Sequence, residues 1–242
     1  MTEPRGTDRT NHANPIPAHR MFSENRSGAG PYVAVPIGSM RRGRLRFTNG
    51  AHRIVICAES HMRDLYRARF GKRMPTVDAR RGVVTVRYTR FLTSDWLDCG
   101  SERPTEIVLN QSIPWDIEVH GGTSRFVADL RALQLRSLRL EGGASRLEVM
   151  LPAPSGTVTI LLLGGASNIA IRRPEGVSAR LRVEGGVTNL RFDDRRTGGA
   201  GGEVDLRNTD YGGATGRYDI AITGGGENVS VERRRGEERG ET

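Results

Sequence analysis

The chain has 242 residues, of which 36% are hydrophobic and 5% aromatic, with 31 glycines and a formal net charge of +9. That length can bury a sizeable core, and many glycines with few aromatics predict a fold of tight corners around a thin interior. No apolar run approaches the ~18 residues that a membrane-spanning helix needs, and no basic-then-apolar leader opens the sequence, so a cytoplasmic protein without a membrane span is expected.

The charge is carried almost entirely by arginine; Lys72 is the single lysine. Residues 31–115 hold 15 basic and 7 acidic groups, whereas residues 116–232 hold 14 and 15. The basic excess therefore sits in one block. The two cysteines, Cys57 and Cys99, lack the CxxC spacing of a metal or redox site, and reduced core thiols are expected rather than a disulfide.

Residues 1–30 are rich in Asn, Pro, Ser, Arg and Gly. Such a segment buries too little apolar surface to offset chain entropy and reads as a disordered tail. Its His12 and His19 read as solvated, since a metal site needs three or four converging ligands. Residues 32–37 predict a short strand. Residues 44–47 alternate, Asn49-Gly50 makes a corner, and residues 54–57 are apolar again, a strand–corner–strand unit. Residues 60–70 predict the one amphipathic helix, because Met62, Leu65, Tyr66 and Phe70 fall at helical spacing between a Ser60 N-cap and Gly71. Strands are expected at 75–78, 83–88 and 106–109, with an irregular connection containing Trp96 at 91–99.

From residue 116 the sequence repeats. The units are DIEVHGGTSRFVADL, SLRLEGGASRLEVML, TILLLGGASNIAIRR, RLRVEGGVTNLRFDD and DIAITGGGENVSVER, with Gly-Gly pairs beginning at 121, 142, 164, 185 and 224. A period near 21 with two short strands per unit is a solenoid signature. In the second unit Leu138, Leu140, Leu147 and Val149 take the inward positions, while Arg139, Arg146 and Glu148 point out. The wider last interval reads as a degenerate corner filled by residues 203–206 and 211–216. The expected organisation is a disordered tail (1–30), an N-terminal basic part of the solenoid with one helix (31–115), the repeat array of the same solenoid (116–232) and a charged tail (233–242).

The GGASRLEV and GGASNIAI units resemble the toastrack-type β-solenoid domain found in bacterial adhesin-type proteins and in the C-terminal part of LiaF-type cell-envelope stress regulators. The earlier stretches NGAHRIVICAES, MRDLYRARF and PTVDARRGVVTVRY are similar to the front of the same domain, so the resemblance covers roughly residues 43–232. It implies an all-β, single-domain, right-handed, single-sheet-like solenoid without catalytic residues, and it offers no site residues to carry over.

The residues themselves yield no catalytic constellation, metal site or cofactor site. The glycine corners lack the GxxxxGK[ST] pattern of a phosphate loop. Ser124, Ser145 and Ser167 read as stacked corner serines whose hydroxyls satisfy backbone groups, since no histidine is repeated near them. His61 and Asp64 lack a third ligand. Asp193-Asp194 faces Arg195-Arg196 and, as adjacent residues on a strand, makes a poor acid/base pair. The one candidate binding cluster is Arg41, Arg42, Arg44, Arg46, Arg63, Arg67, Arg69, Lys72 and Arg73. It could attract a nucleic acid or another anionic surface. The leading expectation is a non-enzymatic scaffold or protein-interaction module, in envelope-stress or signalling. Self-association is also expected, because the C-terminal coil leaves a strand edge covered only by residues 229–232 and the tail.

Overall fold

The computed structural model describes residues 32–71, 74–88 and 104–234. The tail at 1–30, the connection at 91–99, Lys72, Arg73, Cys99 and most of the charged C-terminal tail lie outside the described residues. Among the described residues all regular elements are strands. In the first part these are β1 (Tyr32–Pro36), β2 (Gly43–Thr48), β3 (Ala51–Glu59), β4 (Asp64–Arg69), β5 (Thr76–Arg80), β6 (Val83–Arg87) and β7 (Thr105–Asn110). The repeats supply β8 (Pro114–His120), β9 (Thr123–Asp129), β10 (Gln134–Glu141), β11 (Ala144–Met150), β12 (Thr157–Leu163), β13 (Ala166–Arg173), β14 (Ser178–Glu184) and β15 (Val187–Phe192). The last four are β16 (Arg195–Ala200), β17 (Val204–Arg207), β18 (Arg217–Thr223) and β19 (Gly226–Arg233).

The strands form two sheets rather than one. One runs β1-β4-β7-β3-β9-β11-β13-β19-β15-β16 and the other β17-β14-β18-β12-β10-β8-β2-β6-β5. Each repeat gives one strand to each sheet, so a repeat is a rung and the rungs stack in parallel. Alternation sends every second side chain inward, and register then aligns those side chains from rung to rung. One file is Leu45, Ile117, Leu138, Ile160, Ile220 and Leu181. Facing it in the other sheet is Ile54, Phe126, Leu147, Ile169, Val229 and Leu190. All are buried in a single core. Burial of each such side chain contributes roughly 1.5–3 kcal/mol relative to exposure, which no rung could collect alone.

Stacking order departs from sequence order at both ends. β2 and β3 lie between β6/β7 and β8/β9, although the chain makes them before β6/β7. β18 and β19 lie between β12/β13 and β14/β15, although the chain makes them last. The wide interval between the last two Gly-Gly pairs is therefore not a lost corner. The chain lays down β14/β15 one rung further out, adds the antiparallel strands β16 and β17, and returns to fill the vacant rung. This overturns the expectation of an open C-terminal edge at 229–232: β19 is paired on one side with β13 and on the other with β15. Among the described residues the edges are β1 and β5 at one end and β16 and β17 at the other. They are short, and β1 ends in a proline while β5 and β17 end in arginines, features that discourage edge-to-edge pairing.

The helix expected over 60–70 is a strand. β4 lies between β1 and β7, antiparallel to both. Tyr66, Ala68 and Phe70 are buried and alternate with outward Arg67 and Arg69. The register slips where Val35 pairs with Tyr66 and Pro36 with Asp64, leaving Leu65 as a bulged extra residue. The bulge lets Leu65 and Tyr66 both turn inward, and that adjacent apolar pair is what mimicked helical spacing. Two flanking strands supply hydrogen bonds on both sides, which overrides a marginal helical pattern. Cys57 is half-buried on the outer face of its sheet rather than in the core, and burial pushes its thiol pKa up.

Candidate functional site

The corners line up into one row. In stack order they are Asn49-Gly50, Gly121-Gly122, Gly142-Gly143, Gly164-Gly165, Gly224-Gly225 and Gly185-Gly186. Gly142 shows why the pair is glycine. Its φ is 92°, and a Cβ there would stand 2.7 Å from the Gly122 backbone nitrogen. Positive φ and close rung-to-rung approach both exclude a side chain. The corner amides are satisfied by the neighbouring rung: Gly121 and Gly122 N–H both donate to the Glu141 carbonyl, at 3.1 and 2.7 Å, and Gly142 and Gly143 N–H both donate to the Leu163 carbonyl, at 2.9 and 3.1 Å. This corrects the assignment of that task to the serine hydroxyls.

Because five of the six corners are Gly-Gly and carry no side chains, they leave an open groove of about 1490 Å³ along the stack. At one equivalent position its walls bear a polar residue on every rung, in the order His52, Ser124, Ser145, Ser167, Glu227 and Thr188. Each is followed by a residue in the left-handed region: Arg53 (φ 51°), Arg125 (57°), Arg146 (54°), Asn168 (54°), Asn228 (52°) and Asn189 (54°). The three asparagines form a ladder, with Asn189 donating to Asn228 at 2.7 Å and Asn228 donating to Asn168 at 3.1 Å. The other three positions form a row of arginines. Both rows are legible as the fifth residue of each corner motif, R in NGAHR, GGTSR and GGASR and N in GGASN, GGVTN and GGGEN; their spatial contiguity appears only with the true stacking order.

The fold also brings together residues 72 positions apart. His52 Nδ1 is hydrogen-bonded to Ser124 Oγ, because β3 pairs with β9. No motif or spacing associates them. The nearby corner amides are committed to the next rung, so they do not form an oxyanion hole for this pair. On the outer face of the other sheet, His120 Nδ1 lies 2.6 Å from Glu141 Oε2 and its Nε2 lies 3.5 Å from Glu118. Hydrogen bonds from Arg139 and then His120 hold the Glu141 carboxyl below its ordinary value.

The arginine block is divided between the sheets. Arg44 and Arg46 project from β2, and Arg67 and Arg69 from β4 on the other sheet. Arg42 pairs with Asp116 at 2.5 Å, Arg44 and Arg46 with Glu118 at 3.3 and 2.8 Å, Arg67 with Asp64 at 2.9 Å, and Arg69 with Glu106 at 3.6 Å. Arg41 and Arg63 are exposed in the connections before β2 and β4. Asp64, set beside His61 in sequence, is thus engaged by Arg67. Asp193 faces neither Arg195 nor Arg196; it binds Arg173.

Residues 94–172 match the family model of the N-terminal domain of toast_rack, a shorter span than the resemblance in sequence suggested. The protein is similar in structure to a "putative cell adhesion protein" from Clostridium sporogenes, with a TM-score of 0.54 and 15% identity over 84% of this chain and 98% of that one. A "putative adhesin" from Parabacteroides merdae aligns over 86% of this chain and 98% of its own at 9% identity and a TM-score of 0.27. A comparison with curated proteins gives no match. At 15% identity the first likeness concerns the fold, and it agrees with the two-sheet stack. The matched segment runs through the central rungs, so part of this chain is similar to the N-terminal domain of toast_rack and the whole has the fold of a two-sheet β-solenoid.

Proposed function

We propose that the protein is a non-enzymatic interaction scaffold whose binding face is the corner groove. The observation that carries this reading is the continuity of the groove across six rungs, with a polar residue at the same position of every rung over a hydrogen-bonded floor. Such a surface suits an extended partner lying along the stack axis. A role in bacterial envelope stress or signalling is the finer form of this proposal; the match to the family model of toast_rack supports it. A cytoplasmic location rests on the sequence alone. The arginine block is the weaker candidate face, because five of its seven described arginines already meet carboxylates on two different sheets.

A photocrosslinking residue placed at Ser145 in the groove, compared with one at Ala170 on an outer sheet face, tests the reading in the native cell. A discrete adduct at position 145, absent at 170 and competed by excess unlabelled full chain, is expected. Equal labelling at both positions would overturn the groove as the binding face. Turnover of a glycan, ester or nucleotide by the purified chain, abolished by His52→Ala or Ser124→Ala, would overturn the non-enzymatic part.

A further inference from the structure

The sheet that carries β8 breaks its own pattern at the centre of its outer face. Alternation should place polar residues at the outward positions of its strands. On β12 the two outward positions before the corner hold Leu161 and Leu163, both half-buried. Register sets them between Arg139 and Glu141 of β10 on one side and Ala221 and Thr223 of β18 on the other, with Arg182 and Glu184 of β14 beyond. The face therefore has a centre of apolar and small residues bounded by two Arg/Glu pairs. The two pairs are not equally satisfied. Arg139 Nε lies 2.5 Å from Glu141, which also meets His120. Arg182, by contrast, keeps only a 3.4 Å contact with Asp219, and its Nε is buried without a hydrogen-bond partner. Glu184 is exposed and forms no ion pair among the described residues.

We propose that this face binds a second copy of the chain, about a two-fold axis that runs along the stack between the two outward rows. Such an axis sets each strand antiparallel to the same strand of the other copy, so the two outward residues of every rung exchange places across the contact. Leu161 then meets the partner's Leu163, Ala221 the partner's Thr223, Arg139 the partner's Glu141 and Arg182 the partner's Glu184. On β8, Glu118 meets the partner's His120. Each rung is self-complementary under this one operation: opposite charges on β10 and β14, leucines on β12, small residues on β18. Sheets packed face to face sit ~10 Å apart, a gap that facing leucines fill. The charges select the axis. A two-fold parallel to the strands, between β12 and β18, would set Arg139 against the partner's Arg182 and Glu141 against the partner's Glu184, like charge on like at both ends. A nucleic acid or other polyanion fits poorly, because Glu118, Glu141 and Glu184 interrupt the arginines. The corner groove is walled by the corners and the other sheet, so the dimer stands independently of what the groove binds.

The test is sedimentation of the full chain over a concentration range, with charge-swapped variants. The parent is expected to sediment as a dimer at high concentration. Glu184→Arg sets like charge against the partner's Arg182 and is expected to weaken the dimer at least tenfold, as is Arg182→Glu. Glu184 is exposed and unpaired, so Glu184→Arg is expected to keep the parental circular dichroism. Mixed one to one, the two variants set the arginines of one chain against the glutamates of the other, and a heterodimer of near-parental affinity is expected. Leu161→Ser/Leu163→Ser, which leaves the inward file of β12 untouched, is expected to sediment as a monomer. Val127→Ser, on the outer face of the other sheet, is expected to dimerise as the parent does. A monomeric parent, a dimer insensitive to Glu184→Arg, or a mixture that stays monomeric would overturn the proposal. Loss of the dimer in Val127→Ser, with retention in Leu161→Ser/Leu163→Ser, would overturn it by moving the contact to the other sheet.

Discussion

Arg173 and Asp193 form a face-to-face ion pair inside the C-terminal end of the stack, with parallel hydrogen bonds of 2.8 and 2.6 Å. The Arg173 side chain is fully buried and that of Asp193 is 8% exposed. Arg173 also donates to the Val177 carbonyl and the Asn208 side chain, and Asn208 in turn donates to Asp193 at 2.9 Å. Asp193 is the left-handed residue (φ 52°) that turns β15 into β16. One buried cluster thus ties the last residue of β13, the β15–β16 turn and the segment after β17 to each other.

Removing one partner of this cluster leaves the other charge buried. Asp193→Ala is expected to cost about 3–5 kcal/mol, read as a shift in the chemical denaturation midpoint. A comparable Arg195→Ala substitution on the exposed cap strand is expected to stay within about 0.5 kcal/mol. Equal effects of the two would remove the structural role assigned to the pair.

The same carboxylate sets an acid dependence. Burial alone would raise its pKa, but hydrogen bonds from Arg173 and Asn208 and the charges of Arg173 and Arg233 outweigh burial and lower it to about 2. A folded value below the unfolded value of roughly 3.9 means that its contribution is complete above that pH. It is lost as pH falls from about 4 to about 2. The stability difference between the parent and Asp193→Asn should therefore be constant from pH 5 to neutrality and shrink across that acid window. A difference that stays flat to pH 2 would contradict the linkage.

The corner glycines are required individually. Gly142→Ala faces both positive φ and backbone atoms at 2.7 Å, so a loss above about 1 kcal/mol is expected. Gly198→Ala is the control, since nothing lies within 4 Å of its added Cβ and its φ is not positive. A Tm unchanged by both substitutions would argue against close stacking of the corners.

The interleaved rung makes a topological prediction. Ala170 and Ser230 are paired neighbours on the outer face, within the separation that a disulfide spans. Ala170→Cys/Ser230→Cys is expected to oxidise readily. Ala170→Cys/Arg191→Cys, which a stack in sequence order would bring together, is expected to remain reduced, as read by mass spectrometry after alkylation. The reverse outcome would place β15 directly on β13.

How much of this was legible follows from how local each signal is. Gly-Gly corners at a 21-residue period, with Leu138, Leu140, Leu147 and Val149 alternating, identify the rung and its inward face. Nothing comparable marks β4, where one bulged residue, Leu65, makes a strand look helical. The groove was legible only as a repeated corner, and the arginine block looked contiguous because sequence neighbours were taken as spatial ones. His52 and Ser124 carry no shared motif at all; parallel pairing of β3 with β9 makes them neighbours.

The sequence by itself determined the repeating unit, because alternation and glycine placement are short-range demands met within about twenty residues. Only the tertiary structure decided the order in which those units stack. The inward file that holds Ile160 is aliphatic throughout, so Ile160 can accept Leu181 or Ile220 as its neighbour with little difference in packing. The choice was made by non-local terms: the Arg173–Asp193–Asn208 cluster, which fixes β14 and β15 beneath their antiparallel cap, and the uncovered strand edges, which β18 and β19 return to fill.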